Sequence, residues 1–293
     1  MQQLRAESAP PLPNRTRRSD SIPRRLVVEG KIHLLPLYAL LTTSDLAREG
    51  IRNSGSFRFA DHIYRNEPSG RYIVGRALDR LLLGLKGARS MRSRFIHSRV
   101  EIMNALHHIA RQTDAAASAD RDDITIVSAP CGIARDLVLV ADGLREGDAA
   151  LYGRVRFLGI DLDPEPLELS RSLARGHRRF DFICADALDP CALPADADVI
   201  VSLGFGEFLT DGQLGSFYRN CCIRLAPGGR LITSSMLRHR VSDYLAREMA
   251  ELVTCYRPAE HLRRLLESAG FANIRIGRDA VGLQNLVVAE KTA

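Results

Sequence analysis

The sequence predicts an α/β fold in which a seven-stranded, mostly parallel sheet follows an N-terminal helical cap. The main observation is that short apolar runs alternate with amphipathic helical segments after residue 122, because repeated strand–helix units with short connections build parallel sheets. A second observation is the composition: 45% of the residues are apolar and Trp is absent, which gives the aliphatic core typical of buried parallel strands. The predicted strands span residues 124–128, 155–160, 180–185, 198–203, 230–234, 274–278 and 286–290.

The N-terminal part of the chain has a helical pattern instead. Residues 25–112 are predicted to form a cap or lid domain, because segments 72–86 and 90–111 each carry an apolar stripe at helical spacing. In segment 72–86 that stripe consists of Ile73, Ala77, Leu81 and Leu85. A linker rich in Ala, Asp and Ser follows and marks the boundary to a catalytic domain over residues 122–293.

Arginine supplies most of the positive charge, and the formal net charge is +6. Residues 1–24 are rich in Pro, Ser and Arg and are predicted to form a disordered basic tail, while residues 89–99 form a basic helical group. The two segments are either a nucleic-acid-binding arm or a solvated tail and helix face. No aromatic side chains interleave with the tail arginines, as stacking on bases requires. We therefore favour the solvated interpretation and do not expect nucleic acid as a partner.

The cysteine pattern and the hydropathy indicate a cytoplasmic protein. The six cysteines include no C-x-x-C pair, and no histidine cluster has ligand spacing, so neither a metal site nor a disulfide framework is predicted. The apolar stretch 34–42 contains Pro36 and is too short to span a bilayer, and the basic start lacks the features of a secretory signal. We expect a cytoplasmic location and no membrane partner, and the oligomeric state stays open.

The first predicted strand leads into a glycine turn and a helix. The turn contains Ser128, Cys131 and Gly132, and Asp136 lies at the start of the helix. Glycine allows the backbone to approach a ligand closely, and free N–H groups at the helix start can donate to it. One glycine after a strand is common, so this feature alone is a weak signal.

Carboxylates at the ends of the next two strands are a more specific signal. Asp161 ends the second strand and Asp186 ends the third. The residues that follow them are Leu162 and Ala187. In an open parallel sheet, ligands bind beyond the carboxyl ends of the strands. There Asp161 can accept hydrogen bonds from a ribose diol and Asp186 from an adenine amino group, while Ser202 and Leu203, at the end of the fourth strand, are expected to face the reactive part of the ligand.

Together these features resemble a class I S-adenosylmethionine (SAM)-dependent methyltransferase domain over residues 124–290. Asp161 and Asp186 carry the resemblance, with the turn LAPGGRL at 225–231 and the helix LLESAGF at 265–271. The resemblance implies a Rossmann-like sheet, SAM as the cofactor, Asp161 as the ribose-binding acid and Asp186 as the adenine-contacting acid. The further positions that it assigns to the SAM site are Ser128, Cys131, Gly132, Asp136, Leu162, Ala187, Ser202 and Leu203.

The glycine turn departs from this family's usual acid-x-Gly-x-Gly-x-Gly pattern. The four corresponding positions are Ser128, Pro130, Gly132 and Ala134. NAD-binding domains, the main competitor, need G-x-G-x-x-G to hold a pyrophosphate, so this turn disfavours them. The acid that Ser128 replaces normally helps to hold the ammonium group of SAM. Either Asp136 or a residue of the N-terminal helices takes over that role, or the amino group is held differently.

The cap also has a recognisable segment. Residues 62–71, HIYRNEPSGR, are similar to a Tyr-Arg-Asn-x-Pro-x-Gly-Arg segment in a group of bacterial methyltransferases, near which azetidine-2-carboxylate synthases are placed. In the methyltransferase reaction, a small-molecule acceptor takes the methyl group, which needs in-line geometry more than acid–base chemistry. In the synthase reaction, the SAM amine attacks its own γ-carbon and methylthioadenosine leaves.

The missing carboxylate at Ser128 fits the synthase reaction, because the attacking amine must be neutral. We nevertheless favour methyl transfer to a small-molecule substrate. RNA methylation and SAM binding without catalysis are further alternatives.

Four side chains are candidates for roles near the reactive centre. Tyr64 can cover the sulfonium, because an aromatic face attracts a cation. Glu207 follows the fourth strand and can orient an amine or act as a base, and Ser202 lies at the same strand end. Arg71 can bind the SAM carboxylate bidentately. Ordinary packing and surface salt bridges are the alternative roles for these side chains.

Overall fold

The fold is a seven-stranded sheet covered by helices, in a computed structural model that describes residues 18–53, 55–115 and 123–292. The strand order is β3-β2-β1-β4-β5-β7-β6. Neighbours among β1–β5 are parallel, whereas β7 is antiparallel to both β5 and β6. The strands are β1 (Ile124–Ser128), β2 (Val155–Asp161), β3 (Phe180–Cys184), β4 (Ala197–Ser202), β5 (Leu225–Met236), β6 (Phe271–Arg278) and β7 (Gln284–Lys291). The predicted seven-stranded, mostly parallel α/β fold is confirmed.

Helices cover both faces of the sheet. Those that follow the strands are α7 (Arg135–Gly147), α8 (Ala149–Arg154), α9 (Pro164–Leu173), α10 (Asp211–Arg224) and α12 (Ala259–Ser268). One apolar cluster joins α10 and α12 to one face through side chains such as Phe217 and Leu262. The other cluster joins α7 to the opposite face. Strands β1 and β4, each buried at all but one position, lie between the two layers, which explains their nearly continuous apolar runs.

The 30-residue helix α6 (Lys86–Ala115) belongs to both parts of the molecule. Ile102, Leu106 and Ile109 pack in the same cluster as α7 and strand residue Val199. The C-terminal half of α6 therefore covers the sheet, although the sequence analysis assigned it to a separate cap over residues 25–112. The apolar stripe of this half packs on one face of the sheet. The burial of that stripe explains why the helix extends beyond the predicted cap.

The cap itself is helical. It comprises α1 (Arg18–Val28), α2 (Leu35–Leu41), α3 (Asp45–Arg52), α4 (Phe57–Arg65), α5 (Tyr72–Gly84) and the N-terminal half of α6. Residues 1–17 of the predicted disordered tail lie outside the described residues. Residues 18–24, the rest of that predicted tail, form part of α1 instead. The helix extends there because Ile22 and Leu26 are fully buried against the cap.

A late segment of the chain returns to complete the cap. Helix α11 (Arg240–Ala250) lies between β5 and β6 in the sequence, yet its Met249 packs with Ile22 and Leu26 of α1. The carboxylate of Glu248 accepts from Lys31 at 2.7 Å and from Arg25 at 3.4 Å. The cap is therefore discontinuous, which the predicted domain division did not include.

The apolar stripe of α5 faces outward, contrary to the usual behaviour of such a stripe. Ile73, Ala77, Leu81 and Leu85 are exposed, whereas Asp79 is fully buried and accepts from the backbone N–H groups of Ser69 and Gly70 at 2.9 and 2.7 Å. The side of α5 that faces the protein thus carries Gly75, Asp79 and Leu83, and its buried carboxylate satisfies the loop before the helix. Among the helices of the described ranges, none is at once long and apolar enough to cross a bilayer.

Candidate active site at the carboxyl ends of the strands

The glycine turn after β1 is tied to the end of β2. The backbone N–H of Cys131 donates to the carbonyl oxygen of Ile160 at 2.8 Å, and that of Gly132 donates to Asp161 Oδ2 at 2.8 Å. Cap residue Phe57 lies directly over the turn, since a side chain at position 132 would come within 3.4 Å of its Cβ. The turn is therefore enclosed between the sheet and helix α4. Burial raises the pKa of the Cys131 thiol, so this cysteine contributes as a neutral group.

Asp161 lies half-buried at the end of β2, as the sequence predicts. Its second oxygen, Oδ1, accepts from the backbone N–H of Asp163 at 3.0 Å, and burial raises the pKa of the carboxyl group. Each carboxylate oxygen can accept a second hydrogen bond. The side chain is thus held in place by two backbone donors while it retains acceptors for a diol.

Asp186 follows the neighbouring strand and is exposed. Its Oδ1 accepts from the backbone N–H of Leu188 at 2.9 Å. Asp161 pairs with Cys184 in the β2–β3 register, so the two carboxylates follow adjacent strand ends. Leu162 is exposed beside them, while Ala187 is buried in the apolar core, where its backbone is the part that can meet a ligand.

The end of β1 has a different character, because its polar side chains are buried. Ser128 is buried between Gly159 of β2 and Val201 of β4. Asp136, in the first turn of α7, is buried as well, and its Oδ1 accepts from the backbone N–H of Leu137 at 2.9 Å. Burial raises the pKa of Asp136 to about 6, against the opposing effects of this hydrogen bond and of Arg99.

Beyond β4 lies a buried ion pair. Glu207, only 7% exposed, accepts from Arg94 Nη1 at 3.1 Å, and Arg94 is 4% exposed. The Nη2 atom of Arg94 donates to the hydroxyl of Tyr64 at 2.8 Å, and the Tyr64 ring stacks on Phe95 with centroids 4.4 Å apart. Two of the predicted catalytic side chains, Tyr64 and Glu207, are thereby joined through an arginine that the sequence analysis did not single out.

A glycine makes room for this arginine. Gly204 has φ +77°, and a Cβ at that position would lie 2.8 Å from Arg94 Nη1. Its backbone N–H donates to Ser234 Oγ at 3.0 Å, which fixes the loop after β4. Burial raises the pKa of Glu207, and Arg94 opposes that shift. The pair is therefore a carboxylate of increased basicity held by one guanidinium.

Several polar atoms near these strand ends are buried without a hydrogen-bond partner. They are Ser202 Oγ, Arg94 Nε and both side-chain polar atoms of Gln284, although the Gln284 amide lies close enough to Glu207 to oppose the rise in the pKa of that carboxyl group. Ser202 ends β4, Leu203 follows it half-buried, and Gln284 starts β7 opposite Met236 of β5. A bound ligand or water that paired with these atoms would recover the cost of about 1–3 kcal/mol that an unpaired buried polar group carries.

Arg94 and Gln284 lie beside the predicted site residues, and the sequence analysis did not single them out. The interpretation of segment 89–99 as a solvated helix face is wrong for Arg94, which is buried because Glu207 and Tyr64 pair with it. A signal was present, since Arg94 and Ser98 continue the buried stripe of Ile102 and Leu106 at intervals of four residues. For Gln284 we find no comparable signal in the sequence.

Arg71, predicted to bind SAM, is exposed at the start of α5. Its backbone N–H donates to the carbonyl oxygen of Thr43 at 3.0 Å. Within the described residues, no hydrogen bond or ion pair joins its side chain to the strand ends. The structure thus brings together the other candidate residues but not Arg71.

Two solved structures are similar to this chain along nearly all its length. One, from Bordetella parapertussis and described as a possible exported protein, is 21% identical over 94% of both chains, with a TM-score of 0.75. The other, the CurJ carbon methyltransferase, is 14% identical over 94% of this chain and 70% of that chain, with a TM-score of 0.54. At these identities they support the fold alone. No curated protein matches the chain.

The family comparison includes the cap as well as the sheet. The chain matches the family described as "putative methyltransferase" over residues 46–291, from helix α3 to the end of β7. The matched region contains Tyr64, Arg94, Asp161, Asp186 and Glu207. This protein therefore belongs to that methyltransferase family.

Proposed function

We propose that the protein is a SAM-dependent methyltransferase that acts on a small-molecule acceptor. The observation that carries the proposal is the pair of carboxylates, Asp161 and Asp186, after adjacent parallel strands and beside a glycine turn. Membership of the family supports it, and so does the similarity in fold to a carbon methyltransferase.

The residues at the strand ends fit SAM. Asp161 holds the ribose diol, and Asp186 and the backbone of Ala187 hold the adenine, with Leu162 against its ring. Ser128, Gly132 and Asp136 hold the amino-acid end. The partnerless Ser202 Oγ provides a buried donor that has no other use in the described residues. When bound, SAM supplies a methyl group on a positively charged sulfur.

On the acceptor side, the chain provides a proton acceptor and an aromatic wall. Glu207 takes or holds the acceptor's proton, because burial raises the pKa of its carboxyl group and makes it a better base. Arg94 positions Glu207 and Tyr64 through its two Nη atoms. The stacked Tyr64 and Phe95 rings and the cap above them keep water away from the reacting atoms.

A second candidate reaction is the cyclisation of SAM to azetidine-2-carboxylate and methylthioadenosine. The observation that favours it is Ser128, buried where related domains carry an acid. With Asp136 as the nearby carboxyl group, and its pKa raised to about 6, the amino group of the ligand meets less negative charge than an ordinary carboxylate would provide. Less negative charge lowers the pKa of the ammonium group, so that the neutral amine forms more easily.

Product analysis separates the two reactions. The full-length protein is incubated with SAM alone, and S-adenosylhomocysteine and methylthioadenosine are measured by mass spectrometry. Methyl transfer predicts neither product above the background of the Asp161→Asn variant until a mixture of small hydroxyl, amine and carbon acids is added, when S-adenosylhomocysteine forms. Equal amounts of methylthioadenosine and azetidine-2-carboxylate from SAM alone, above the same background and without S-adenosylhomocysteine, would establish the cyclase instead.

Calorimetric titration with S-adenosylhomocysteine tests the site itself. We expect saturable binding of one molecule per chain, and Asp181→Asn serves as the matched control for Asp161→Asn, because Asp181 is exposed on the adjacent β3 and pairs with Arg156 rather than with the turn. The absence of binding by the unmodified protein would reject both reactions.

A further inference from the structure

The exposed face of helix α5 is the most unusual surface of the cap. Ile73 is 87% exposed and Leu81 is 64% exposed, and Tyr72, Val74 and Leu85 are also solvent-accessible. Soluble proteins rarely leave a contiguous apolar patch of this kind open to water unless it binds something. The functional site already described does not use any of these side chains.

Helical geometry shows that the patch is the centre of the outer face. At about 100° per residue, Ile73, Ala77 and Leu81 lie within one strip of the helix surface, while Gly75, Asp79 and Leu83, which are buried, lie on the opposite side. The apolar side chains therefore point directly away from the protein. The helix is amphipathic, but its polar carboxylate is turned inward and its apolar stripe outward.

The charged side chains exposed on α5 and at its two ends are all positive. Arg76 and Arg80 flank the stripe on one side, and Arg71, Lys86 and Arg89 lie at the two ends of the helix, each of them exposed. Within the described residues, no carboxylate forms an ion pair with any of these five cations. The one acid of the helix, Asp79, is fully buried. The face thus combines apolar side chains with unbalanced positive charge.

This combination indicates which partner fits. A second copy of the chain in an antiparallel two-fold pair would bring the arginine flank of one α5 beside that of the other, which like-charge repulsion opposes. An anionic lipid surface instead attracts the cations and accepts the apolar side chains at the level of its headgroups. The exposed tyrosine at the helix start also suits that interfacial layer.

We propose that α5 docks the protein on an anionic lipid bilayer, with Ile73 and Leu81 inserted and Arg76 and Arg80 at the headgroups. This revises the expectation of no membrane partner, which rested on the lack of a spanning segment rather than on surface binding. The proposal is independent of the proposed methyl transfer, because none of these residues contacts the strand ends in the described hydrogen bonds or ion pairs.

Vesicle co-sedimentation of the full-length protein tests the proposal. We expect binding to vesicles of phosphatidylcholine with phosphatidylglycerol, weak binding to phosphatidylcholine alone, and release at high salt. The double variant Ile73→Gln/Leu81→Gln is expected to bind at least about tenfold more weakly. Arg76→Gln/Arg80→Gln is expected to lose a similar factor, since each cation near an anionic surface contributes about a fivefold gain.

The matched control is Arg175→Gln/Arg178→Gln, which removes the same charge from exposed positions after α9. It should bind vesicles within about twofold of the unmodified protein, and circular dichroism should show that all three variants remain folded. No binding of the unmodified protein to the anionic vesicles would overturn the proposal. A loss of vesicle affinity in the control as large as that in Arg76→Gln/Arg80→Gln would also overturn it. A dimer in light scattering that Ile73→Gln/Leu81→Gln dissociates, without vesicle binding, would assign the face to a second copy instead.

Discussion

The two halves of the strand-end edge hold their polar side chains in opposite ways. At the β2–β3 end, Asp161 and Asp186 are half-buried or exposed, and backbone N–H groups of nearby residues hold them. Beyond β4, Arg94 and Glu207 are buried, and Arg94 reaches Glu207 across 113 residues of sequence. Local turns suffice to position a side chain that water still solvates, whereas a buried charge requires a partner from a distant element.

The largest expected effect comes from breaking the buried pair. Arg94→Met leaves Glu207 buried without a countercharge, which should lower the free energy of unfolding by about 3–5 kcal/mol, measured by urea denaturation. The double variant Arg94→Met/Glu207→Gln should recover much of this loss, because no charge is then buried. Arg89→Met, an exposed position of the same helix, is the control and should change stability by less than about 0.5 kcal/mol. A similar loss in both single variants would contradict the contrast between the two halves.

Asp136→Asn tests whether the buried carboxyl group at the start of α7 lowers the free energy of unfolding while it contributes to ligand binding. The carboxyl group titrates near pH 4 when unfolded and at about 6 when folded, so the folded state binds the proton more tightly. Its contribution is therefore favourable at low pH and is lost as the pH rises from about 4 to 6.

At pH 7.5 Asp136→Asn should thus stabilise the protein by about 1–3 kcal/mol, while its affinity for S-adenosylhomocysteine falls. Glu146→Gln, an exposed change on the same helix, should do neither. Thermal melts from pH 4 to 8 and calorimetry measure both effects, and a destabilised Asp136→Asn at pH 7.5 would refute this account.

Asp161→Asn should affect binding more than folding. The loss of a charge-assisted acceptor for the ribose diol should raise the dissociation constant of S-adenosylhomocysteine about 10- to 100-fold. Stability should fall by only about 1 kcal/mol, because an amide keeps one of the two backbone hydrogen bonds that the carboxylate accepts. Calorimetry and urea denaturation separate the two quantities. Unchanged affinity would remove Asp161 from the site.

Asp186→Asn should have the smallest effect, because this side chain is exposed and water can replace its contacts. We expect a two- to tenfold weaker affinity for S-adenosylhomocysteine and no change in stability beyond about 0.5 kcal/mol. Asp189→Asn, at an exposed carboxylate of the same loop that accepts from the backbone N–H of Cys191 at 2.8 Å, is the matched control. Equal effects in both variants would indicate a loop contribution rather than an adenine contact.

The same distinction explains what the sequence could predict. The seven strands and the positions of Asp161 and Asp186 follow from local periodicity and from the rule that ligands bind at strand ends. Arg94 was misinterpreted because the partners that bury it lie 30 and 113 residues away. The outward orientation of α5 was equally inaccessible, since it depends on Asp79 satisfying a loop. The cytoplasmic location and the relation to azetidine-2-carboxylate synthases stay predictions.

The return of α11 to the cap has a consequence for the order of folding during synthesis. Arg25 and Glu248 are 223 residues apart in the chain, so at a synthesis rate of about 5–20 residues per second α1 waits about 10–45 s for its partner. Ile22 and Leu26 meet Met249 only after β5 has left the ribosome. Helix α1 therefore completes its contacts late, and until then Ile22 and Leu26 lack one of the side chains that bury them, which leaves a place where chaperones can bind.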